Sequence, residues 1–146
     1  STAYVPTLAT YDVLSRHGRQ AGLDDASMHK LRKVADAGGH ALETAYRAGV
    51  TIGSGSDLIG PFQHLKGREL ALKSEVMPPM EALVSATRTN AEILGLGHEL
   101  GTLEPGKTAD LIFVQDNPLV DPGLFEQGLK KVLVVIKTGQ VVKNLL

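Results

Sequence analysis

The residue whose setting best suits chemistry is Asp57, which closes the run Gly53-Ser54-Gly55-Ser56-Asp57. Val50-Thr51-Ile52 before it is a brief β-branched run, so the aspartate falls where a strand gives way to a Gly/Ser-rich loop. A carboxylate there can accept a proton from an attacking group and return it to a leaving one. Gly-Ser-Asp is also the ordinary composition of a turn or an Asx cap, and on local sequence that reading is the commoner one. The histidines offer less. His17, His29, His40, His64 and His98 form neither His-x-His nor His-Glu-x-x-His, and no two lie three or four apart on one helix. No self-contained metal site is expected, and most of these side chains should lie at the surface or in loops. His64 stands apart because it follows Asp57 in the next loop, where it either contacts a substrate or is solvated. Arg68 and Glu69 open a predicted helix and are expected on its solvated face, outside the site. Thr87 and Asn90 are expected to make local side-chain-to-backbone bonds.

A second pattern has to be weighed. Gly101-Thr102-Leu103-Glu104-Pro105-Gly106-Lys107-Thr108 satisfies G-x-x-x-x-G-K-[ST], the phosphate-binding loop. Such a loop must follow a strand and open a helix whose free amides hold the anion. Here the pattern follows a helix and opens a strand-like run, Asp110 to Val114. Pro105 removes an amide donor, and Glu104 puts negative charge where phosphate would sit. Leu111 to Val114 before Asp116 imitates a magnesium-binding strand, but lies too near Lys107 for an intervening helix. Nucleotide binding through Gly101 to Thr108 is therefore a remote alternative, and Lys107 is expected to be solvated or packed along a structural turn.

The elements that must position these residues follow from the hydrophobic pattern. Tyr4-Val5-Pro6-Thr7-Leu8 suggests a strand end or an edge, followed by an Asp- and Gly-containing connection. Ser27 can cap a long helix with an inward face of Leu31, Val34, Ala35, Gly38, Ala41, Leu42 and Ala45, stopped by Gly49. Pro61 to Gly67 is predicted to be an exposed loop and Arg68 to Val76 a helix, halted at Met77-Pro78-Pro79. One further helix carries Met80, Leu83, Val84, Thr87, Ala91 and Leu94 inward and closes at Gly95. Beyond Gly101 the pattern is strand-like, at Asp110 to Val114, Lys131 to Lys137 and Gln140 to Lys143, with Thr138-Gly139 a tight turn. The boundary near 97–103 divides an α/β part from a β-rich tail.

Composition narrows the partners. A 146-residue chain with 42% hydrophobic and 21% charged residues has a globular composition and can bury a core. With a net charge of −1 and interspersed signs it has no basic stripe for nucleic acid or an anionic membrane, and neither partner is expected. The absence of cysteine removes disulfides, thiolate metal sites and a cysteine nucleophile. The compartment stays open, with cytoplasm the default. No run approaches the roughly 20 apolar residues a membrane helix needs, and no export signal is expected. A chain that starts Ser1-Thr2-Ala3-Tyr4, without an initiator Met, is expected to be cropped, processed or part of something longer.

Several stretches together resemble the amidohydrolase superfamily, in particular its prolidase-like and imidazolonepropionase-like members. Ala48 to Asp57 is similar to the last barrel strand of that family, which ends in an aspartate. Met80 to Leu83, Ala86-Thr87 and Asn90 to Gly95 are similar to the helix that follows. Gly101 to Ile112 is similar to the return into the family's small β domain, and Val134 to Gly139 to its closing hairpin. The resemblance implies an α/β fold: the last strands and helices of a (β/α)8 TIM-like barrel, residues 1–100, plus strands of a small composite β-sandwich-like domain, residues 101–146. Tyr4 to Leu8 would be the seventh strand and Ile52 to Asp57 the eighth.

What the resemblance implies for chemistry is metal-dependent hydrolysis of a C–N bond in a dipeptide, other amide or cyclic amide. A deaminase of the same superfamily and an inactive fragment are the alternatives. The cofactor would be a divalent metal, zinc, as one or two ions. Its other ligands, a His-x-His pair, a bridging lysine or glutamate and two further histidines, would lie on six strands outside this chain. Asp57 would be the proton shuttle and a weak metal ligand, with Gly53 and Gly55 clearing space for metal and substrate, and His64 a substrate contact. The expected partners are a small-molecule or dipeptide substrate and the rest of the barrel or a partner chain, in a homo-oligomer.

Overall fold

A computed structural model describes residues 2–127 and 130–146. Strand β1, Ala3–Tyr4, pairs in parallel with β2, Thr51–Ile52, in the register Ala3 to Thr51 and Tyr4 to Ile52. Parallel neighbours need a long crossover, and two helices supply it: α1, Leu8–His17, and α2, Asp25–Arg47.

The first of these helices replaces the connection expected after residue 8, and the expected strand stops at Tyr4. The chain turns at Thr7, whose φ of 49° is left-handed and whose side chain caps nothing, so no local signal announces the helix. In α2 the N-cap is Asp24, which accepts from the Ser27 amide at 2.7 Å, in place of the expected Ser27. The helix ends as expected at Gly49, φ 71°. Its inward face is used only in part. Leu42 is fully buried and Val34 is exposed, while a Cβ on Gly38 would come within 2.9 Å of Leu8 Cδ2, so the two helices cross closely there.

The predicted loop at 61–67 is a 3-10 helix, Gly60–Leu65, which packs Phe62 and Leu65 on a cluster of Ala9, Val13 and Leu58. Helix α3, Arg68–Ser74, follows. The single helix expected from Pro79 to Leu94 is two, α4 (Pro79–Ala86) and α5 (Arg88–Ile93), because Thr87 leaves helical geometry at φ −119°, ψ −93°. The main core joins Leu8, Leu42, Ile52, Met77 and Ala82, with Tyr4, Tyr46 and Leu72 against it.

The tail forms an antiparallel sheet of β3 (Leu111–Val114), β4 (Val132–Lys137) and β5 (Gln140–Asn144), with β4 central. Thr138 and Gly139 both have positive φ, 50° and 78°, as the tight hairpin requires. A 3-10 turn, Pro122–Gln127, ties this tail to α3. Leu124 is fully buried. A Cβ on Gly67 would meet the Phe125 carbonyl oxygen at 2.0 Å, so only glycine admits that approach. No helix among the described residues is long and apolar enough to cross a membrane.

Candidate functional site

The site is built outward from the end of β2. Pairing with β1 runs one residue past the strand, Gly53 N donating to Tyr4 O at 2.9 Å. The Gly53 carbonyl then accepts from Lys73 Nζ at 2.7 Å. Ser54 is held through both backbone groups: its N–H donates to Asn90 Oδ1 at 2.9 Å, and its carbonyl accepts from Asn90 Nδ2 at 2.7 Å. Three residues on, Asp57 is exposed and sits in left-handed backbone at φ 50°. Leu58 is then buried in the α1 cluster. Asp57 thus rides on a short span fixed at both ends.

Gly53 and Gly55 lie against packed neighbours. A Cβ on Gly53 would lie 2.9 Å from Ile93 Cδ1 and 3.0 Å from both Asn90 Oδ1 and Val5 Cγ2. One on Gly55 would lie 3.1 Å from Val5 Cγ1. Neither glycine has positive φ, so their role is space, not backbone freedom.

His64 is exposed, with Nδ1 2.8 Å from the Pro61 carbonyl. A carbonyl only accepts, so Nδ1 carries the proton and Nε2 of the neutral ring is left as an acceptor. The imidazole borders a cleft of about 970 Å³ together with Ser54, Gly55 and Ser56, and the sheet closes its far side with Ile112, Val132 and Val135. Asp57 does not line that cleft.

Two charged residues were misplaced by the sequence. Arg68 is mostly covered and bridges α1 to the 122–127 turn, pairing with Asp12 and, at 2.7 Å, with Glu126. Glu69, expected in solvent, is 2% exposed. Its Oε2 accepts from the Ala9 amide at 2.8 Å, capping α1 from 60 residues away. Its Oε1 has no hydrogen-bond partner among the described residues. Burial pushes this carboxyl above the usual glutamate value, against the pull of the Ala9 and Leu8 amides and of Lys73.

Lys73, one turn along α3, has no exposed surface and binds Gly53 O and Ser85 Oγ. Burial brings its pKa down to about 8, with the Glu69 charge acting the other way. A signal for the pair existed. Leu65, Glu69, Leu72, Lys73 and Val76 recur at helical spacing, so both charges fall within an apolar stripe.

Thr87 bonds locally to Leu83 O, as expected. Asn90 does not, for its partner lies 36 residues away. The Gly101 to Thr108 pattern leads into β3 with no helix to hold a phosphate, and Lys107 packs along the turn on Gly97 O and Thr102 Oγ1.

The chain is 33% identical to an ochratoxinase of Aspergillus niger over 143 residues, 97% of this chain and 29% of that protein. A crystal structure of a prolidase complexed with N-methylphosphonate-L-proline superposes with a TM-score of 0.92 at 38% identity, over 98% of this chain and 35% of the other. A Xaa-Pro dipeptidase with bound methionine gives 0.86 at 31% identity, over 98% and 35%. The chain therefore spans about a third of the length of these relatives. A family model matches residues 2–142, and this chain belongs to the Amidohydrolase family.

Proposed function

We propose that the polypeptide carrying this chain is a metal-dependent amidohydrolase that cleaves the C–N bond of a dipeptide or similar small amide, with Asp57 as its proton carrier. In this reading β1 and β2 are the seventh and eighth strands of a (β/α)8 barrel, and residues 101–146 belong to a small β domain completed from elsewhere. The observation that carries it is the setting of Asp57: an exposed carboxylate in left-handed backbone, just beyond the C-terminal end of a parallel-paired strand. Parallel barrels gather their catalytic side chains at those ends. Strained backbone persists where the surroundings hold it, and such places cluster at active sites. Support for the substrate class comes from the relatives, an ochratoxinase, a prolidase and a Xaa-Pro dipeptidase.

The donors present fit one place in a metal site. Among the described residues no group of three or more His, Cys, Asp or Glu side chains could hold an ion. Asp57 offers one exposed carboxylate, which suits a coordination sphere completed by residues outside this chain. When bound, a divalent metal supplies a water acidic enough to attack an amide carbonyl near neutral pH. The Asp57 carboxylate takes a proton as the nucleophile attacks and gives it to the departing nitrogen, which leaves as a neutral amine. His64, whose Nδ1 is engaged by the Pro61 carbonyl, would offer Nε2 to the substrate as a hydrogen-bond acceptor.

The test uses the full polypeptide loaded with zinc and assayed for proline release from Ala-Pro. Asp57→Asn is expected to lower kcat per bound zinc by about 10²- to 10⁴-fold. Chelation should abolish turnover, and added zinc should restore it. Undiminished turnover by Asp57→Asn would remove Asp57 from the chemistry.

A further inference from the structure

The peptide units just ahead of the Asp57 span are satisfied in an unusual way. β2 ends at Ile52, yet all four backbone groups of Gly53 and Ser54 are hydrogen-bonded. Only one of these bonds, Gly53 N to Tyr4 O, is a ladder bond. Asn90 makes two others, and a primary carboxamide carries the same donor and acceptor as a peptide group, so its side chain imitates one rung of a neighbouring strand. The fourth comes from a fully buried ammonium. Lys73 from α3 reaches the Gly53 carbonyl, and it also binds Ser85 of α4, whose hydroxyl donates in turn to Ala82 O at 2.6 Å. Asn90 stands on α5. Two helices, α3 and α5, thus reach the backbone groups of two consecutive residues, and α4 braces one of them by holding Lys73 through Ser85. A Cβ on Gly53 would crowd Ile93 Cδ1, Asn90 Oδ1 and Val5 Cγ2.

Beyond this anchor only Gly55, Ser56 and Asp57 remain before Leu58 is buried against Ala9 and Val13. A left-handed φ is uncommon at a residue with a Cβ, although aspartate is among the side chains that adopt it most readily. A loosely held loop would relax.

We propose that Asn90 and Lys73 are positioning residues for Asp57, holding the peptide units of Gly53 and Ser54 so that the following three residues present the carboxylate in one orientation. The inference rests on Asp57 being the proton carrier. Neither side chain touches the reacting atoms.

The experiment compares Asn90→Leu, Asn90→Asp, Lys73→Met and Asp57→Asn with wild type in the zinc-loaded full polypeptide, on Ala-Pro. Deuterium exchange of the segment 53–58 is read alongside. Asn90→Leu and Lys73→Met should lower kcat about 10- to 100-fold, the scale of a displacement of about 1 Å at a reacting group, with KM within about twofold. Exchange of 53–58 should accelerate while α2 is unchanged. Asn90→Asp keeps the size and the acceptor while losing the donor. It should show a smaller loss of the same kind, and it decides the matter if the leucine variant does not fold. Wild-type kcat per bound zinc, or unchanged exchange at 53–58, would overturn the proposal even if melting temperature falls. Turnover retained by Asp57→Asn would instead refute the reading of Asp57, and exchange would then decide whether the two side chains hold the segment.

Discussion

Asp57 occupies a backbone conformation that glycine adopts freely and other residues resist, φ 50°. In the proposed role of Asp57, chemistry and stability pull apart at this one position. Asp57→Gly is expected to melt at or above the wild-type temperature, a gain of up to about 1 kcal/mol, while losing activity. A clear fall in melting temperature would mean that the aspartate side chain itself holds the loop. Lys73 makes a second residue-scale prediction. Its folded-state pKa of about 8 lies below the ordinary 10.5. Between those values the unfolded chain keeps a proton that the folded chain has released, so unfolding takes up a proton and stability rises with pH. Below about pH 8 both states carry the charge and the slope vanishes. Each unit of depression is worth about 1.4 kcal/mol. Thermal melts from pH 7.5 to 10.5 should show this rise in wild type and not in Lys73→Met.

Helix α1 shows how an element can depend on a residue far away in sequence. Its first turn has no acidic residue, and Thr7 supplies no side-chain cap. The free amide of Ala9 is instead satisfied by Glu69. Glu69→Ala should strand that buried donor and cost about 1–3 kcal/mol in a urea titration. Glu69→Gln keeps an acceptor for Ala9 and removes a desolvated charge, so its midpoint should lie nearer wild type. Equal losses in the two variants would show that the negative charge, not the hydrogen bond, holds the helix. Arg68, next to Glu69, fastens the same helix through Asp12 and reaches Glu126 in the turn before β4. α3 is therefore the joint between the crossover helices and the sheet.

At the scale of the whole molecule the apolar surface is unbalanced. β1 and β2 form a two-stranded sheet by themselves, and such sheets are marginal in water. In the other sheet Phe113, Val141 and Val142 are more than half exposed. Paired edges and a covered face would bury these groups, as the proposed barrel and composite β domain require. Residues 2–146 expressed alone are expected to give a broad, weakly cooperative melt or to self-associate, measured by calorimetry and light scattering. A sharp, concentration-independent transition of a monomer would count against placing them in a barrel.

The sequence by itself determined the elements whose signals are local. The stop at Gly49, the helix after Gly67, the proline start at Pro79, the Thr138-Gly139 hairpin and the strand-to-loop setting of Asp57 all follow from backbone propensity and short-range pattern. The strand-like run after Lys107 likewise forms β3. Tertiary structure alone decided what depends on groups far apart in the chain. It capped α1 with Glu69, buried Lys73 under Gly53 and turned Asn90 from a local bond to Ser54. It also split one predicted helix at Thr87. The physical reason is desolvation: whether a charge or an amide faces water or must find a partner depends on what packs over it, and that is settled only when distant segments meet.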